Sequence, residues 1–236
     1  LLKRHADIVI YANKKLMMKE RSQCRKAVYI DHGVDFDHFA KAHQNQYIPE
    51  EIKKIPQPIA GFYGGIDPHT SDINLIRKVI PLLQKTSFVM IGNSSVDLSP
   101  LKKYSNFYHL PQQPYEVLPQ YAKCFDVCFM AWNCNKWIDS CNPVKLKESL
   151  ALGKPIVSTP FPELNSFSDL VTTAKTPQQF ADAISESIKD AQAQKVTARK
   201  NRVNKSTWHT KTIEVIKTLY DIKLNDDWRA YNKSCL

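Results

Sequence analysis

Short apolar segments alternate with amphipathic helical segments along the middle of the chain, and this alternation restricts the fold more than any other feature. The predicted strands are 59–63, 87–91, 106–110, 125–132 and 155–158, and the predicted helices are 72–83, 115–123, 143–152 and 177–189. Because the strands are apolar on both faces, they predict a parallel sheet with helices on both sides. The predicted class is therefore α/β.

Two further segments flank this predicted sheet. Residues 6–11 and 26–30 are β-rich and enclose a helical segment that begins after Asn13, so they predict a strand–helix–strand unit. Residues 43–58 are polar and contain Lys and Pro, which is typical of a linker. A final helix is predicted from about Thr207, with an apolar stripe that must pack against another surface.

Composition excludes several protein classes. Hydrophobic residues make up 43% of the 236 residues and charged residues 24%, which is ordinary for a globular protein and excludes disordered and collagen-like chains. The longest apolar runs are far shorter than the roughly 18 residues of a membrane-spanning helix. The six cysteines contain no CxxC pair, which favours reduced thiols in a cytosolic protein. A zinc site from Cys124, Cys128, Cys134 and Cys141 is a weaker alternative, since the spacing matches no zinc finger.

The net charge of +10 is concentrated in residues 1–28 and 189–211, which leaves the rest of the chain nearly neutral. A nucleic-acid partner is not predicted, because it would require a continuous basic stripe interleaved with aromatic residues. Solvated helix faces explain the two basic segments most simply. Attraction to an anionic membrane surface is the second interpretation.

Two segments of the predicted sheet are candidates for ligand binding, because parallel sheets bind ligands at the carboxyl ends of their strands. In the first, Gly64 and Gly65 follow the 59–63 strand directly and allow backbone to approach a ligand closely. A tight turn from strand to helix explains the glycine pair equally well.

The second candidate is the start of the 143–152 helix. Asn142 is a suitable N-cap, Pro143 suits the first helical position, and Gly153 suits the end of the helix. The amides and the dipole at such a helix start favour a diphosphate. Lys145 lies in the first turn, where its positive charge opposes the helix dipole. Glu148 lies on the same face of the helix. A solvent-facing ion pair between Lys145 and Glu148 is the alternative to a ligand site.

The order and spacing of several motifs resemble the carboxy-terminal, donor-binding half of a GT-B fold glycosyltransferase of the group 1 type, from about residue 6 to residue 220. The motifs are Ala6-Asp7-Ile8-Val9-Ile10, His32-Gly33-Val34-Asp35, Gly64-Gly65, Asn142-Pro143-Val144-Lys145-Leu146-Lys147-Glu148, Gly153-Lys154-Pro155-Ile156-Val157 and the Trp208 to Tyr220 helix.

This resemblance implies three parts of the chain. Residues 46–200 would form a Rossmann-like domain that binds a nucleoside-diphosphate sugar, residues 1–45 a remnant of the acceptor domain with the interdomain linker, and residues 201–236 a crossing helix and tail. The rest of the acceptor domain would be missing, so this chain alone would be an incomplete enzyme.

The activity implied by the resemblance is metal-independent, hexosyltransferase-like transfer of the sugar to an acceptor, in polysaccharide or glycan biosynthesis and without a cofactor. The implied location is cytoplasmic or peripheral at the inner face of a membrane. A noncatalytic ligand-binding or assembly module of the same fold is the alternative, because a fold does not determine a function.

The resemblance also assigns roles to residues, although it identifies no catalytic residue and no metal ligand. Glu148 would hold the donor ribose, Gly64 and Gly65 would face the diphosphate and the sugar, and Lys145 would supply the charge that other members place after the first strand. The implied donor-binding residues are Gly64, Gly65, Asn142, Pro143, Val144, Lys145 and Glu148. The sequence departs from the family at the first Glu of the Glu-seven-Glu motif. That position holds Ser140 here, and the neighbouring Asp139 is a candidate substitute for the missing Glu.

Overall fold

A computed structural model describes residues 2–190 and 193–234, including the side chains of 2–190 and 193–221. The strands in these residues are β1 (Val9–Tyr11), β2 (Ala27–Tyr29), β3 (Ile59–Tyr63), β4 (Ser87–Ile91), β5 (Phe107–Leu110), β6 (Val127–Met130), β7 (Ile156–Ser158) and β8 (Val171–Thr173). Residues 235–236 of the predicted tail lie outside this description.

The α-helices of the described residues lie mostly between strands or after the last one. They are α1 (Leu2–His5), α2 (Lys14–Glu20), α3 (Phe36–Ala40), α4 (Glu50–Lys53), α5 (Ile73–Val79), α6 (Ser99–Lys102), α7 (Leu118–Ala122), α8 (Val144–Ala151), α9 (Pro177–Lys189), α10 (Ala193–Val203) and α11 (Trp208–Ser234). Short 3-10 helices cover Arg21–Gln23, Ala42–Gln44, Ile80–Leu82, Ile138–Ser140 and Pro162–Phe167.

Six strands form one parallel sheet in the order β5-β4-β3-β6-β7-β8, and β1 pairs with β2 in a separate parallel ribbon. The sheet begins at β3 in its centre, extends to β5 on one side and then continues from β6 to β8 on the other. The predicted parallel sheet is confirmed. The reversal of strand order lies between β3 and β6, where open α/β sheets bind their ligands.

Helices cover both faces of this sheet, as predicted. Alternate residues of each strand point to opposite faces, and the apolar side chains on each face pack against helices. In β3, Ile59 and Tyr63 belong to the core that contains Leu146 and Leu150 of α8. Ala60 and Phe62 of the same strand belong to the other core, which also contains apolar residues of α5 and α9. Every residue of β3 and β4 is buried, which explains their uninterrupted apolar sequence.

Several elements differ from the sequence-based prediction, among them the short helices α1 and α6, which were not predicted. The edge strand β8 was not predicted, since it has only three residues and two of them are exposed. Helix α10 was not predicted either, because its sequence is polar apart from Ala and Val and reads as a basic segment. It packs on the end of α8, where Gly153 has a φ of +78° and an added Cβ would lie 2.6 Å from Cγ1 of Val196. The predicted linker contains the short helix α4.

The predicted cap at the start of α8 is wrong, whereas Gly153 follows the C-cap residue Leu152 as predicted. Its N-cap residue is Pro143 rather than Asn142, and no side chain caps the helix. The amide of Asn142 instead donates to the carbonyl oxygen of Ala12 at 2.7 Å, because the end of β1 lies against this helix start. The first turn of α8 therefore keeps backbone amides that no side chain satisfies.

Several residues of the two basic segments form ion pairs with acidic residues of the chain. Ion pairs join Arg25 to Asp7, Lys195 to Asp190 and Arg202 to Asp169. Part of the predicted apolar stripe of α11 is uncovered among the described residues, because its exposed apolar side chains include Trp208, Ile213, Ile216, Leu219 and Tyr220. Among the described residues, no helix combines the length and apolarity needed to cross a membrane.

Candidate donor site

The candidate site lies at the carboxyl edge of the sheet, where the strand order reverses. The loop after β3 contains Gly64 and Gly65, and the connection after β6 leads into α8. These two segments meet, since a Cβ added to Gly64 would lie only 2.5 Å from Nζ of Lys145. The fold therefore brings together two motifs that are 80 residues apart in the sequence.

Glycine is required at two positions of this edge. Gly64 has a φ of +127° and donates its amide to the carbonyl oxygen of Ile91 at 2.9 Å. Gly92, after β4, has a φ of +147°, and an added Cβ would lie 2.0 Å from the carbonyl oxygen of Gly64. Gly65 differs from both, because no atom lies within 4 Å of an added Cβ. The backbone at Gly65 therefore faces open space.

The Lys145 ammonium has no counter-ion in the described part of the chain. It lies 4.5 Å from the centre of the Phe62 ring and 5.8 Å from that of Trp132, and it makes neither a hydrogen bond nor an ion pair there. Burial lowers the pKa of Lys145 to about 8, although the charges of Glu148 and Asp67 oppose this shift. The alternative ion pair with Glu148 is not formed. A partly buried cation without a partner anion favours an anionic ligand.

The Glu148 carboxyl is buried one turn further along the same helix, with 6% of the residue exposed. Burial raises the pKa of Glu148, while hydrogen bonding by the Tyr63 hydroxyl, the charge of Lys145 and hydrogen bonding by Tyr115 oppose the rise. Tyr63 is buried too, and its hydroxyl lies 3.4 Å from Oγ of Ser149. The carboxyl group is therefore held among hydroxyl groups near the base of the site.

A cavity of about 270 Å³ opens beside the two glycines. It is lined by Gly64, Gly65, Ile91, Gly92, Asn93, Gln112, Gln113, Tyr115 and Leu118. Nδ2 of Asn93 donates to Oε1 of Gln112 at 2.6 Å, and His38 contacts Tyr115 through its ring and through a bond to the Tyr115 carbonyl oxygen. Sequence patterns alone did not predict Asn93, Gln112, Gln113 or Tyr115 as site residues. Their positions after β4 and β5 were the signal that would have found them.

The segment before α8 faces the amino-terminal part of the chain. Oδ2 of Asp139 pairs with Nζ of Lys15 at 2.7 Å, and Oγ of Ser140 donates to the carbonyl oxygen of Lys136 at 3.4 Å. With Asn142 bound to Ala12, three side chains from this segment make protein contacts. Pro143 is the N-cap residue of α8, and Val144 is its first helical residue.

Metal binding has no support in the described residues. No group of three or more His, Cys, Asp or Glu side chains among them is arranged to hold an ion. The described cysteines, which include Cys124, Cys128, Cys134 and Cys141, are free thiols.

Several known proteins resemble this chain. A family model described as "Glycosyl transferases group 1" matches residues 57–190. The putative teichuronic acid biosynthesis glycosyltransferase TuaH of Bacillus subtilis (strain 168) is 27% identical over 159 residues, which are 64% of this chain and 39% of that protein.

Solved structures share the fold at low sequence identity. Sucrose-phosphate synthase from Thermosynechococcus elongatus superposes with a TM-score of 0.73 at 16% identity, over 95% of this chain and 60% of that one. Anabaena Alr3699/HepE, solved in complex with UDP and glucose, gives a TM-score of 0.72 at 15% identity, over 92% and 64%. The chain thus spans less than two thirds of these proteins. The similarity confirms a GT-B type α/β fold, and with a family match over more than half of its residues the chain belongs to the group 1 glycosyltransferases.

Proposed function

We propose that this chain is the donor-binding half of a glycosyltransferase and binds a nucleoside-diphosphate sugar at the carboxyl edge of the six-stranded sheet. The observation that carries the proposal is the Lys145 ammonium, which has no counter-ion among the described residues and lies beside Gly64 at the start of α8. In this assignment, residues 46–200 form the donor domain. Residues 1–45 are the remnant of an acceptor domain with its linker, and residues 201–236 are the crossing helix and tail.

The diphosphate would bind between the first turn of α8 and the loop after β3. The uncapped amides of α8, the helix dipole and the Lys145 charge all favour a dianion there. Gly65 leaves room for phosphate oxygens or the sugar against the backbone. Glu148 would accept hydrogen bonds from the ribose hydroxyls. The cavity beside Gly64 and Tyr115 would then hold the base.

Transfer would proceed by stabilisation of the departing nucleoside diphosphate. Negative charge develops on its oxygens as the sugar leaves, and a helix start with an adjacent ammonium stabilises this charge without reorganisation. We propose that the reaction needs neither a metal nor a cofactor, because Lys145 provides the positive charge. Deprotonation of the acceptor would depend on the part of the enzyme that binds the acceptor.

We base the proposed sugar and pathway on the names of similar proteins. The name of TuaH refers to teichuronic acid biosynthesis, and HepE was solved with UDP and glucose. These names support a hexosyl donor and a role in polysaccharide or glycan biosynthesis. We propose a cytoplasmic enzyme, or one peripheral at the inner face of a membrane, where the basic amino-terminal segment would face anionic lipids.

A noncatalytic nucleotide-binding module is a second candidate. The observation that favours it is Ser140 at the position of the first motif Glu, together with Asp139, which is engaged by Lys15. Such a module would bind nucleoside diphosphate at the same residues but would not transfer sugar. Comparing sugar transfer with nucleotide binding in the full-length protein separates the two candidates.

Calorimetric titration with UDP, GDP and ADP, then with UDP-sugars, tests the donor site directly. Lys145→Met should weaken diphosphate binding about tenfold or more, since charge-assisted hydrogen bonds contribute about 1.5–3 kcal/mol, and should change nucleoside binding little. Lys136→Met in the preceding connection is the matched control. Equal losses of nucleoside and diphosphate affinity, or no binding by the wild type, would contradict the assignment.

A further inference from the structure

Helix α8 carries a second lysine that the proposed donor chemistry does not use. Lys147 lies two residues after Lys145, and its side chain is only 2% exposed. Its ammonium contacts the Asp31 carboxylate and the carbonyl oxygen of His32, and it donates to Oγ of Ser206 at 2.9 Å. All three donors of this buried ammonium have a partner, because burying a charge without such partners is costly.

The partners of Lys147 come from two segments that are distant in sequence. Asp31 and His32 follow β2, and Ser206 precedes α11. These segments pack directly on each other. The Val34 amide donates to the Ser206 carbonyl oxygen at 2.8 Å, and a Cβ added to Gly33 would lie 2.6 Å from backbone atoms of Trp208. We call residues 31–34 and 206–211 together the junction.

Two lysine ammonium groups pair with one carboxylate in the junction. Asp31 pairs with Lys147 through Oδ2 and with Nζ of Lys211 through Oδ1 at 2.7 Å, and Lys211 also pairs with Glu214. The hydrogen bonds from the two lysines keep the pKa of Asp31 below its ordinary value despite its burial. Of these two lysines, Lys147 belongs to α8 and Lys211 belongs to α11. It is thus the direct charged link from the junction to the helix of the donor site.

We propose that Lys147 is a positioning residue of the donor site: its buried ammonium ties the helix that carries Lys145 and Glu148 to the junction, so that the affinity for nucleoside diphosphate depends on this tie. The inference rests on the proposed function of Lys145 and Glu148. Lys147 points away from the glycine loop toward Asp31 and Ser206, so it acts on the ligand through the placement of its neighbours. By linkage, a bound nucleoside diphosphate would in turn stabilise the junction.

Variants of the full-length protein separate positioning from simple stability. Asp31→Asn leaves the buried Lys147 without its counter-ion and should lower the melting temperature. Lys147→Met in the Asp31→Asn background removes that uncompensated charge and should restore much of the loss. A purely structural role predicts that UDP affinity is restored together with stability.

A positioning role predicts a different pattern. The Lys147→Met, Asp31→Asn and combined variants should each bind UDP about tenfold more weakly, within the usual range of coupling between sites. The combined variant should lose no more than the worse single variant, because both changes break the same tie. Lys211→Met is the control, since it removes the other cation on Asp31 and leaves the Lys147 contacts in place. Wild-type UDP affinity in the combined variant would overturn the proposal.

Hydrogen exchange decides the inference even if the wild type binds no UDP, which by itself would contradict only the proposed function. Amides of residues 144–151 should exchange faster in the combined variant than in the wild type or in Lys211→Met. Those of β3 and β4 should be unchanged. Wild-type exchange rates at 144–151 in the combined variant would show that Lys147 does not hold α8 in place.

Discussion

At the scale of single residues, the candidate donor site combines a buried carboxyl group with a partly buried ammonium, and the environment of each opposes its ionised form. Burial raises the pKa of Glu148 and lowers that of Lys145. A carboxyl group with a raised folded-state pKa makes the fold less stable as the pH rises from its unfolded-state pKa to its folded-state pKa, because the unfolded chain releases the proton first. Both groups therefore lower the stability of the fold at positions that a ligand would use.

Glu148→Gln tests this relation. The uncharged isostere should leave the melting temperature at pH 7 unchanged or slightly higher, because the cost of the buried charge disappears. Nucleotide affinity should fall about tenfold or more, since a charge-assisted hydrogen bond to the ribose contributes about 1.5–3 kcal/mol. Thermal unfolding and calorimetry measure the two effects. An unchanged affinity for UDP and GDP would show that Glu148 does not hold the ribose.

The Lys145 ammonium should make diphosphate binding dependent on pH. With a pKa of about 8 in the free protein, Lys145 is mostly charged at pH 7 and mostly neutral at pH 9. A bound diphosphate stabilises the charged form and raises this pKa, so affinity should fall as the pH rises through 8 and binding should take up protons there. Calorimetry in buffers of different ionisation enthalpy measures the uptake, and the Lys145→Met variant should show neither effect.

Gly64 and Gly65 should respond differently to the same substitution. Gly65→Ala has open space for its Cβ and should be folded with wild-type stability, yet it should weaken diphosphate or sugar binding if the ligand lies against this backbone. Gly64→Ala should be destabilised, because its φ is +127° and the new Cβ would meet Lys145. Calorimetry on the Gly65→Ala protein is the informative measurement. A wild-type affinity would place the ligand away from the loop.

At the scale of elements, the starts of α2 and α8 face each other and exchange amide hydrogen bonds. Asn13 caps α2 through the Leu16 amide at 2.8 Å and also donates to the carbonyl oxygen of Cys141 at 3.2 Å. Asn142 donates in the opposite direction, to Ala12. Asn13 therefore both caps a helix and joins the two helix starts, whereas Asn142 only joins them.

This difference predicts distinct effects of two alanine variants. Asn142→Ala should cost about 1 kcal/mol, the net value of a hydrogen bond, and leave the exchange of α8 amides unchanged. Asn13→Ala should cost more, because a lost cap adds about 0.5–2 kcal/mol and should make α2 exchange faster. Denaturant unfolding and hydrogen exchange measure both. Faster exchange in α8 after Asn142→Ala would indicate a capping role that the structure does not show.

At the scale of the whole molecule, we expect the 236-residue chain to bind nucleotide without transferring sugar. The amino-terminal ribbon has two described strands, and the chain spans 60% and 64% of the similar solved structures. Positioning of two substrates contributes about 7–11 kcal/mol to such reactions, and half of a cleft cannot supply it. Sugar transfer by this chain and by the full-length protein should be compared. Equal rates would show that the acceptor site lies within these residues.

Local sequence patterns determined much of the fold. The strands 59–63 and 87–91 and the helix 177–189 match their predicted limits, because buried apolar runs and the Thr176-Pro177 helix start are encoded by neighbouring residues. The Gly64-Gly65 pair and the Lys145 turn were identifiable as candidates for the same reason. Edge strand β8 and the polar helix α10 were not, because contacts with distant segments stabilise them more than their own pattern does.

Only the tertiary structure decided which side chains meet at the site. Lys145 was assigned to the diphosphate by family resemblance. Its surroundings of Phe62, Trp132 and Gly64, with no counter-ion in the described part of the chain, come from tertiary packing. Asn142 has the sequence context of a helix cap and became a contact with Ala12 because β1 lies nearby. Lys147 received no role from the sequence, and it is buried because two distant segments converge on it. Short-range patterns determine helices and strands, whereas burial and pairing of charges depend on contacts between residues far apart in the chain.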